Sequence, residues 1–381
     1  MRKNRGKRAA AGFLSAVMAL SLLAGCGGQT DQNTDTTTPA PGQTDVQDTN
    51  TLSIVDQGVF SAGGVVLTTD GTFDPINGQY DPTGQTSHAD HASVLYQIPE
   101  NDNGHAMVFL HGFGQSRTGW MTTPDGRDGW NDMFLRRGYS TYLVDQPRRG
   151  EAGQTSVAQE ISTATQDQAW FTQFRMGRWP DFNEGSQFPQ DEGSIDQFFR
   201  QMTPDTGTID YDVITDAMVE VFEQSGPGIL VTHSQGGFPG WTTAAASDDV
   251  EAVVAIEPGG FPFPESEMPD PIEAGYYTVE GVPMSDEDFD KLIEKPIIVY
   301  FGDYIPDEPG ASDLPAENFW SAVLQMGRQF EELVNERGGD CTVIYLPDEG
   351  ITGNSHFMFQ ELNNQEIADH IYAWLEEHDL G

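Results

Sequence analysis

The chain has 381 residues, of which 60 are acidic and 18 basic, for a formal net charge of −42. A surface of that sign repels nucleic acid and anionic membranes, which argues against polyanion binding as the function. With 37% apolar residues the chain can bury a sizeable core, either as two average domains or as one large α/β domain with insertions.

The first residues read as an export signal. A basic stretch (Arg2, Lys3, Arg5, Lys7, Arg8) precedes an apolar run from Ala9 to Leu23, too short and wrongly flanked for a membrane span. Leu23-Ala-Gly-Cys26 closes it and resembles the bacterial lipobox, which implies cleavage before Cys26, lipidation of its thiol and an extracytoplasmic, lipid-anchored protein. The other reading is a plain secretory signal. Losing the leader's five positive charges would take −42 to −47. Residues 26–50 are nearly all Gly, Gln, Thr, Asp, Asn and Pro, a composition that cannot bury apolar surface and is expected to form a disordered linker.

Order is expected from about residue 51. Leu52–Val55, Val65–Thr68 and Ala92–Ile98 read as strands. Ser87-His-Ala-Asp-His91 crowds three potential metal ligands, but no second cluster completes a shell, so it reads as a polar loop. From residue 106 the pattern becomes regular. Apolar runs at Met107–Leu110, Thr141–Val144, Gly228–Val231, Ala252–Ile256, Ile297–Phe301 and Thr342–Leu346 suit strands buried on both faces. Helix candidates at Trp130–Arg137, Tyr211–Gln224, Phe319–Arg337 and Gln365–Glu377 alternate with them. The expected fold is one α/β domain over residues 51–381 with a doubly wound, mostly parallel sheet. Ligands of such sheets bind beyond the carboxyl ends of the strands.

Two features interrupt this pattern. Asp286, Asp288 and Asp290 alternate like a calcium loop, but Lys291 and Ile297 stand where its glycine and glutamate belong, so Ser285 reads instead as a helix N-cap. Residues 155–209 offer no clear strand and are rich in aromatics and methionine, as expected of an inserted cap over a site or of a peripheral subdomain with its own small core. Cys341, inside a strand candidate, is expected to be a buried inert thiol.

The chemistry centres on Thr232-His-Ser-Gln-Gly236, where a strand meets a helix candidate through a tight turn with Ser234 at its middle. This is the layout of a nucleophile elbow, with Thr232 in place of the usual first glycine. A serine hydroxyl needs a base, and the base needs an orienting acid. Of eight histidines, His233 should diverge from its neighbour's hydroxyl, and His370 and His378 lie on or beyond a helix facing solvent. His111 opens a turn after a strand. His356, on the loop between the last strand and the last helix, stands where the base belongs in the chain order Ser, acid, His. For the acid, Glu257 ends one strand before a rigid Pro-Gly-Gly turn and is preferred; Asp303, after the next strand, and Asp307 are the fallbacks. The oxyanion donors are expected to be the backbone N–H groups of Gln235 and of Phe113 in the Gly112-Phe-Gly114 turn.

Together with Thr122–Trp130, Gly138–Gln146, Ile256–Gly259 and Asn354-Ser-His356, these stretches resemble the α/β-hydrolase superfamily from about Leu52 to the C-terminus. Within it the chain is similar to bacterial secreted esterases with glutamate after strand six. The resemblance implies Ser234 as nucleophile, Glu257 as acid, His356 as base, Phe113 and Gln235 as oxyanion donors, and a small-molecule ester as substrate, with no cofactor and no metal. A lipase or amidase would use the same parts. A binding lipoprotein on a retired scaffold would be expected to have lost triad members, and none is missing.

Overall fold

The computed structural model describes residues 51–163 and 165–381; the expected export signal, the lipobox cysteine Cys26 and the linker lie outside them. Eight strands form the main sheet: β1 Ile54–Ala62, β2 Ala92–Pro99, β3 Ala106–Leu110, β4 Ser140–Asp145, β5 Gly228–His233, β6 Val250–Ile256, β7 Ile297–Phe301 and β8 Cys341–Tyr345. Their spatial order is β1-β2-β4-β3-β5-β6-β7-β8. β1 pairs antiparallel with β2, and β2 with β4, while every pair from β4 to β8 is parallel. The helices are α1 Thr118–Met121, α2 Trp130–Arg136, α3 Asp167–Gln173, α4 Glu192–Arg200, α5 Tyr211–Ser225, α6 Gly237–Ala246, α7 Asp286–Leu292, α8 Pro315–Glu336 and α9 Asn364–Glu377.

The apolar runs behave as strands buried on both faces. Val108, Leu230, Val253 and Val299 pack on one side against Met218 of α5, Trp241 of α6 and Phe330 of α8. Their neighbours Phe109, Val231, Val254 and Ile298 face the other way, against Trp130 and Phe134 of α2 and Ile371 of α9. This two-residue alternation, with both sets buried, is why no polar stripe breaks the runs. Each large side chain removed from water contributes roughly 1.5–3 kcal/mol, so the two layers hold the sheet from both sides.

Three local differences from the sequence expectations have physical causes. β1 spans Ile54–Ala62 rather than Leu52–Val55: it is an edge strand with mostly exposed side chains, and its Gly58 lies under the Tyr96 ring, where a Cβ would come within 2.8 Å. α8 begins at Pro315, four residues before Phe319, because proline suits the first helical position, whose N–H needs no partner. The 155–209 segment carries α3, α4 and a minimal strand pair, Gly177–Arg178 with Asp181–Phe182. Its Phe171, Phe188 and Phe198 are buried in the same cluster as Phe357 and the sheet. The segment therefore shares the domain's core instead of owning one.

Two other local signals agree with the structure. The Ser285 hydroxyl accepts from the Asp288 N–H at 3.1 Å, capping α7. The Cys341 thiol is buried in β8. The histidine-rich stretch departs from the expected polar loop: Thr86–Ala89 is a short strand that pairs antiparallel with Val65–Thr68, and Asp90 beyond it is bound by the Arg148 guanidinium and by Ser156.

Candidate active site

β5 ends at His233, and Ser234 follows with φ +53°, in the left-handed region that a non-glycine residue adopts only under constraint. One turn of 3₁₀ helix, Ser234–Gly236, leads directly into α6. The constraint is visible at the neighbouring glycines. A Cβ on Gly236 would come within 2.6 Å of the His111 carbonyl oxygen, and one on Gly112 within 2.7 Å of the Ser234 Cβ. The turn after β3 and the turn after β5 thus touch backbone to backbone. Thr232, where the superfamily has glycine, fits for a reason found eight residues further on: α6 has Gly240 facing it, whose Cβ would lie 2.5 Å from the Thr232 methyl. The glycine is needed on one side of this contact, and here the helix supplies it.

His356, after β8, and Glu257, at the end of β6, meet. His356 Nδ1 lies 2.5 Å from Glu257 Oε2, and both side chains are fully buried. Glu257 itself has φ +44°, which turns its carboxylate off the end of β6. Its other oxygen, Oε1, accepts from the Gly302 N–H at 2.7 Å and from the guanidinium of Arg175. Burial opposes ionisation of Glu257, yet the Arg175 and His356 beside it hold its pKa down at about 2. Burial also lowers His356, against the pull of Glu257. The Nε2 of His356 is buried and has no hydrogen-bond partner among the described residues.

The loop that carries His356 is pinned on three sides. The His233 ring bonds the His356 carbonyl through Nε2 at 3.0 Å; since a carbonyl only accepts, that nitrogen bears the proton. Burial, with His356 nearby, keeps His233 neutral, its pKa well below the ordinary value. Beneath the loop, the buried Glu361 carboxyl accepts from the Ser355 N–H at 2.8 Å and from the Asn354 side chain at 2.8 Å. Above it, the Phe174 carbonyl accepts from the His356 N–H at 3.1 Å, and the Phe174 ring lies parallel to the imidazole, 5.3 Å away.

Ser234 opens into a cavity of about 440 Å³, whose lining includes Phe113, Trp170, Phe174, Gln235, Phe238 and Trp320. The turn bearing Phe113 is held from behind by Arg149, a fully buried residue that donates to the carbonyls of Gly112 and Gln115 at 3.2 Å each, pairs with Asp205, and stacks over the Phe113 ring at 5.6 Å. Phe113 in turn packs on Trp170 of α3 at 5.4 Å.

The structure therefore brings Ser234, Gln235 and Phe113 to one cavity and places Glu257 on His356. Asp303 is not on the imidazole: its carboxylate accepts from the Gly353 and Tyr304 N–H groups, at 2.8 and 2.6 Å. Asp307 is exposed. His233 does diverge from its neighbour's hydroxyl, but toward the His356 loop. His370, expected in solvent, is half-buried with Nδ1 2.8 Å from the Tyr300 hydroxyl, and His111 is buried against Gly112 and Gln146. Sequence reasoning missed Phe174, Arg175, Arg149 and Glu361. An arginine within an aromatic stretch of so acidic a chain was the available signal, and it says neither that the side chain is buried nor which carboxylate is its partner.

Comparison with known proteins agrees with the fold. The profile of the Alpha/beta hydrolase family matches residues 107–369. A probable secreted lipase, phiG, from a fungal species (strain ATCC 74256) is 29% identical over 313 residues, covering 74% of this chain and 84% of that protein. The atomic-resolution structure of a novel bacterial esterase superposes with a TM-score of 0.68 at 29% identity, covering 86% of this chain and 97% of the other. With the family profile spanning more than half of the sequence and a mostly parallel sheet whose fifth strand ends in a strained serine turn, the chain belongs to the alpha/beta hydrolase family.

Proposed function

We propose that the protein is a serine hydrolase that cleaves carboxylic esters through an acyl-enzyme, anchored outside the cytoplasm by a lipid on Cys26, with residues 155–209 forming a cap over the site. The observation that carries the reading is the buried His356, its Nδ1 held on the Glu257 carboxylate at 2.5 Å while Nε2 is left without a partner. An imidazole fixed in that tautomer presents a lone pair at Nε2, which is what a serine nucleophile requires.

In the reaction, the Ser234 Oγ attacks the ester carbonyl as His356 Nε2 takes its proton. The oxyanion of the tetrahedral intermediate is received by the N–H groups of Phe113 and Gln235. His356 then protonates the departing alcohol, leaving an acyl group on Ser234. Water attacks that acyl group with His356 again as base, which releases the acid and restores the hydroxyl. Glu257 remains ionised throughout and stabilises the imidazolium. The apolar, largely aromatic cavity suits a small ester with little charge. A lipid ester is the second reading, supported by the likeness to the secreted lipase.

A fluorophosphonate probe followed by peptide mass spectrometry tests the proposal. The adduct is expected on the peptide containing Ser234 and absent from Ser234→Ala. Folded wild-type protein that is not labelled, and that leaves p-nitrophenyl acetate intact, would sink the enzymatic reading in favour of a binding lipoprotein.

A further inference from the structure

A carboxylate removed from water costs several kcal/mol unless charge and hydrogen bonds replace the lost hydration. A Ser-His-acid arrangement by itself offers its acid one such partner, the imidazole. Glu257 has more. Its Oε1 is held by the Gly302 N–H at 2.7 Å and by the Arg175 guanidinium. Arg175 belongs to none of the strand-end loops that supply Ser234, Glu257 and His356; it comes from the 155–209 segment, just past the end of α3, with φ +59°. Its side chain is fully buried, its Nε donates to the Asp303 carbonyl at 3.1 Å, and its guanidinium lies over the Trp320 ring at 5.2 Å.

The residue before it grips the base. Phe174 accepts from the His356 N–H and covers one face of the imidazole. Two consecutive residues of one segment thus touch both buried members of the relay. The same segment is tied to the loop on either side of His356: Gln187 N–H donates to the Gly353 carbonyl, and the Gln187 carbonyl accepts from Leu362 N–H, each at 2.8 Å.

We propose that Arg175 is a positioning residue for the hydrolytic reaction, holding Glu257 as a fixed anion against His356 and so making the seating of the 155–209 segment a condition of turnover. The inference rests on the reading of Ser234, Glu257 and His356 given above, and extends it: the segment is part of the catalytic relay, not a lid that opens and closes over a finished site.

The charge of Arg175 acts on both partners. It keeps Glu257 ionised, so that the carboxylate accepts the Nδ1–H of His356. It also offsets part of the negative field that would stabilise imidazolium, so His356 remains a free base to lower pH. The other ionisable groups facing His356 do not replace it. His233, from β5, is neutral. Asp303, after β7, is engaged by backbone N–H groups, and Glu361 lies beneath Ser355. With Arg175 neutralised, the Glu257 anion faces the imidazole with only the Gly302 N–H to disperse its charge, and the pair holds its proton to higher pH.

The test is a pH profile of kcat/KM for p-nitrophenyl butyrate, pH 5 to 9, on the full-length protein in detergent. Wild type, Arg175→Gln and Arg175→Lys are compared, with fluorophosphonate labelling in parallel. Arg175 touches no substrate, so Arg175→Gln is expected to lower kcat at least tenfold with KM little changed, and to move the acid limb upward by on the order of one pH unit. Arg175→Lys, which keeps charge but loses the fork to Glu257 and Asp303, is expected to return the limb to its wild-type position with a kcat between the two. If Arg175→Gln does not fold, Arg175→Met reads the same limb while keeping the apolar stem against Trp320. An acid limb that stays in place in the uncharged variants, whatever their rate, would reduce Arg175 to packing and overturn the proposal. Wild-type protein that neither labels nor hydrolyses would instead remove the underlying functional reading.

Discussion

Glu361 allows a stability prediction whose size can be worked from the structure. Its carboxyl is fully buried beneath the His356 loop, with two backbone or amide donors and, among the described residues, no cation on it. Burial pushes its pKa from the ordinary 4.5 up to about 7, against the pull of the Ser355 and Asn354 donors. The folded pKa lies above the unfolded one, so the stability contributed by the protonated form is present in full below about 4.5 and is lost as pH rises through 7. At ~1.4 kcal/mol per pH unit the loss is about 3 kcal/mol. In Glu361→Gln the side chain cannot ionise. Its Oε1 keeps the Ser355 N–H, and its Nε2 gains an acceptor if the amides of Asn354 and Asn363, which pair with each other at 2.7 and 3.0 Å, both turn over. Urea unfolding followed by tryptophan fluorescence at pH 4.5, 6, 7 and 8 measures both proteins. The difference between them should move by about 3 kcal/mol in favour of glutamine from the lowest pH to the highest. Parallel curves across that range would refute the reasoning, because they would mean that Glu361 ionises in the fold as readily as it does in water.

Three further outcomes follow from the site. Glu257→Gln should lower kcat by roughly 10³–10⁴-fold in steady-state assays, and Asp303→Asn far less; the reverse order would move the acid to Asp303. Gly240→Ala should destabilise the wild type by about 1–3 kcal/mol, because its methyl meets that of Thr232. In a Thr232→Ala background the same change should become neutral or stabilising by up to ~1 kcal/mol, and thermal unfolding of the four proteins checks the change of sign. Arg149→Met should loosen the Gly112–Gln115 turn and lower kcat by up to the roughly 10²-fold that the loss of one oxyanion donor costs. Equal rates in the two proteins would show that the turn holds without it.

The parts of this molecule that were legible in the sequence are those whose signal is local. A buried strand announces itself by an unbroken apolar run, so β3 to β8 stood out, and Ser234 stood out because small residues must surround a strained turn. His356 and Glu257, which the structure brings together, could be picked as the proposed base and acid because chain order and strand ends restrict where such a pair can sit. What was not legible is held by contacts between distant segments. Arg175 and Glu257 are 82 residues apart, and His233 and His356 are 123 apart. Nothing periodic marks Arg175 within its aromatic stretch, and only burial beside a carboxylate distinguishes it from a surface arginine. β1 was misplaced for the opposite reason: an edge strand with one solvated side carries little apolar signal to read.

The ion pair between Arg175 and Glu257 also bears on how such a protein can change over generations. In a family where segments are inserted between strands, an insertion tied to the scaffold only by its ends could be lengthened, shortened or exchanged with little penalty. Here a swapped segment would have to deliver a cation to the same carboxylate, or leave a bare charge inside the protein. The exposed stretch at residues 157–161 has room to drift, whereas Phe174 and Arg175 do not. Recombination between relatives should therefore succeed when its crossover points keep this dipeptide with its own scaffold, and fail when they separate the two.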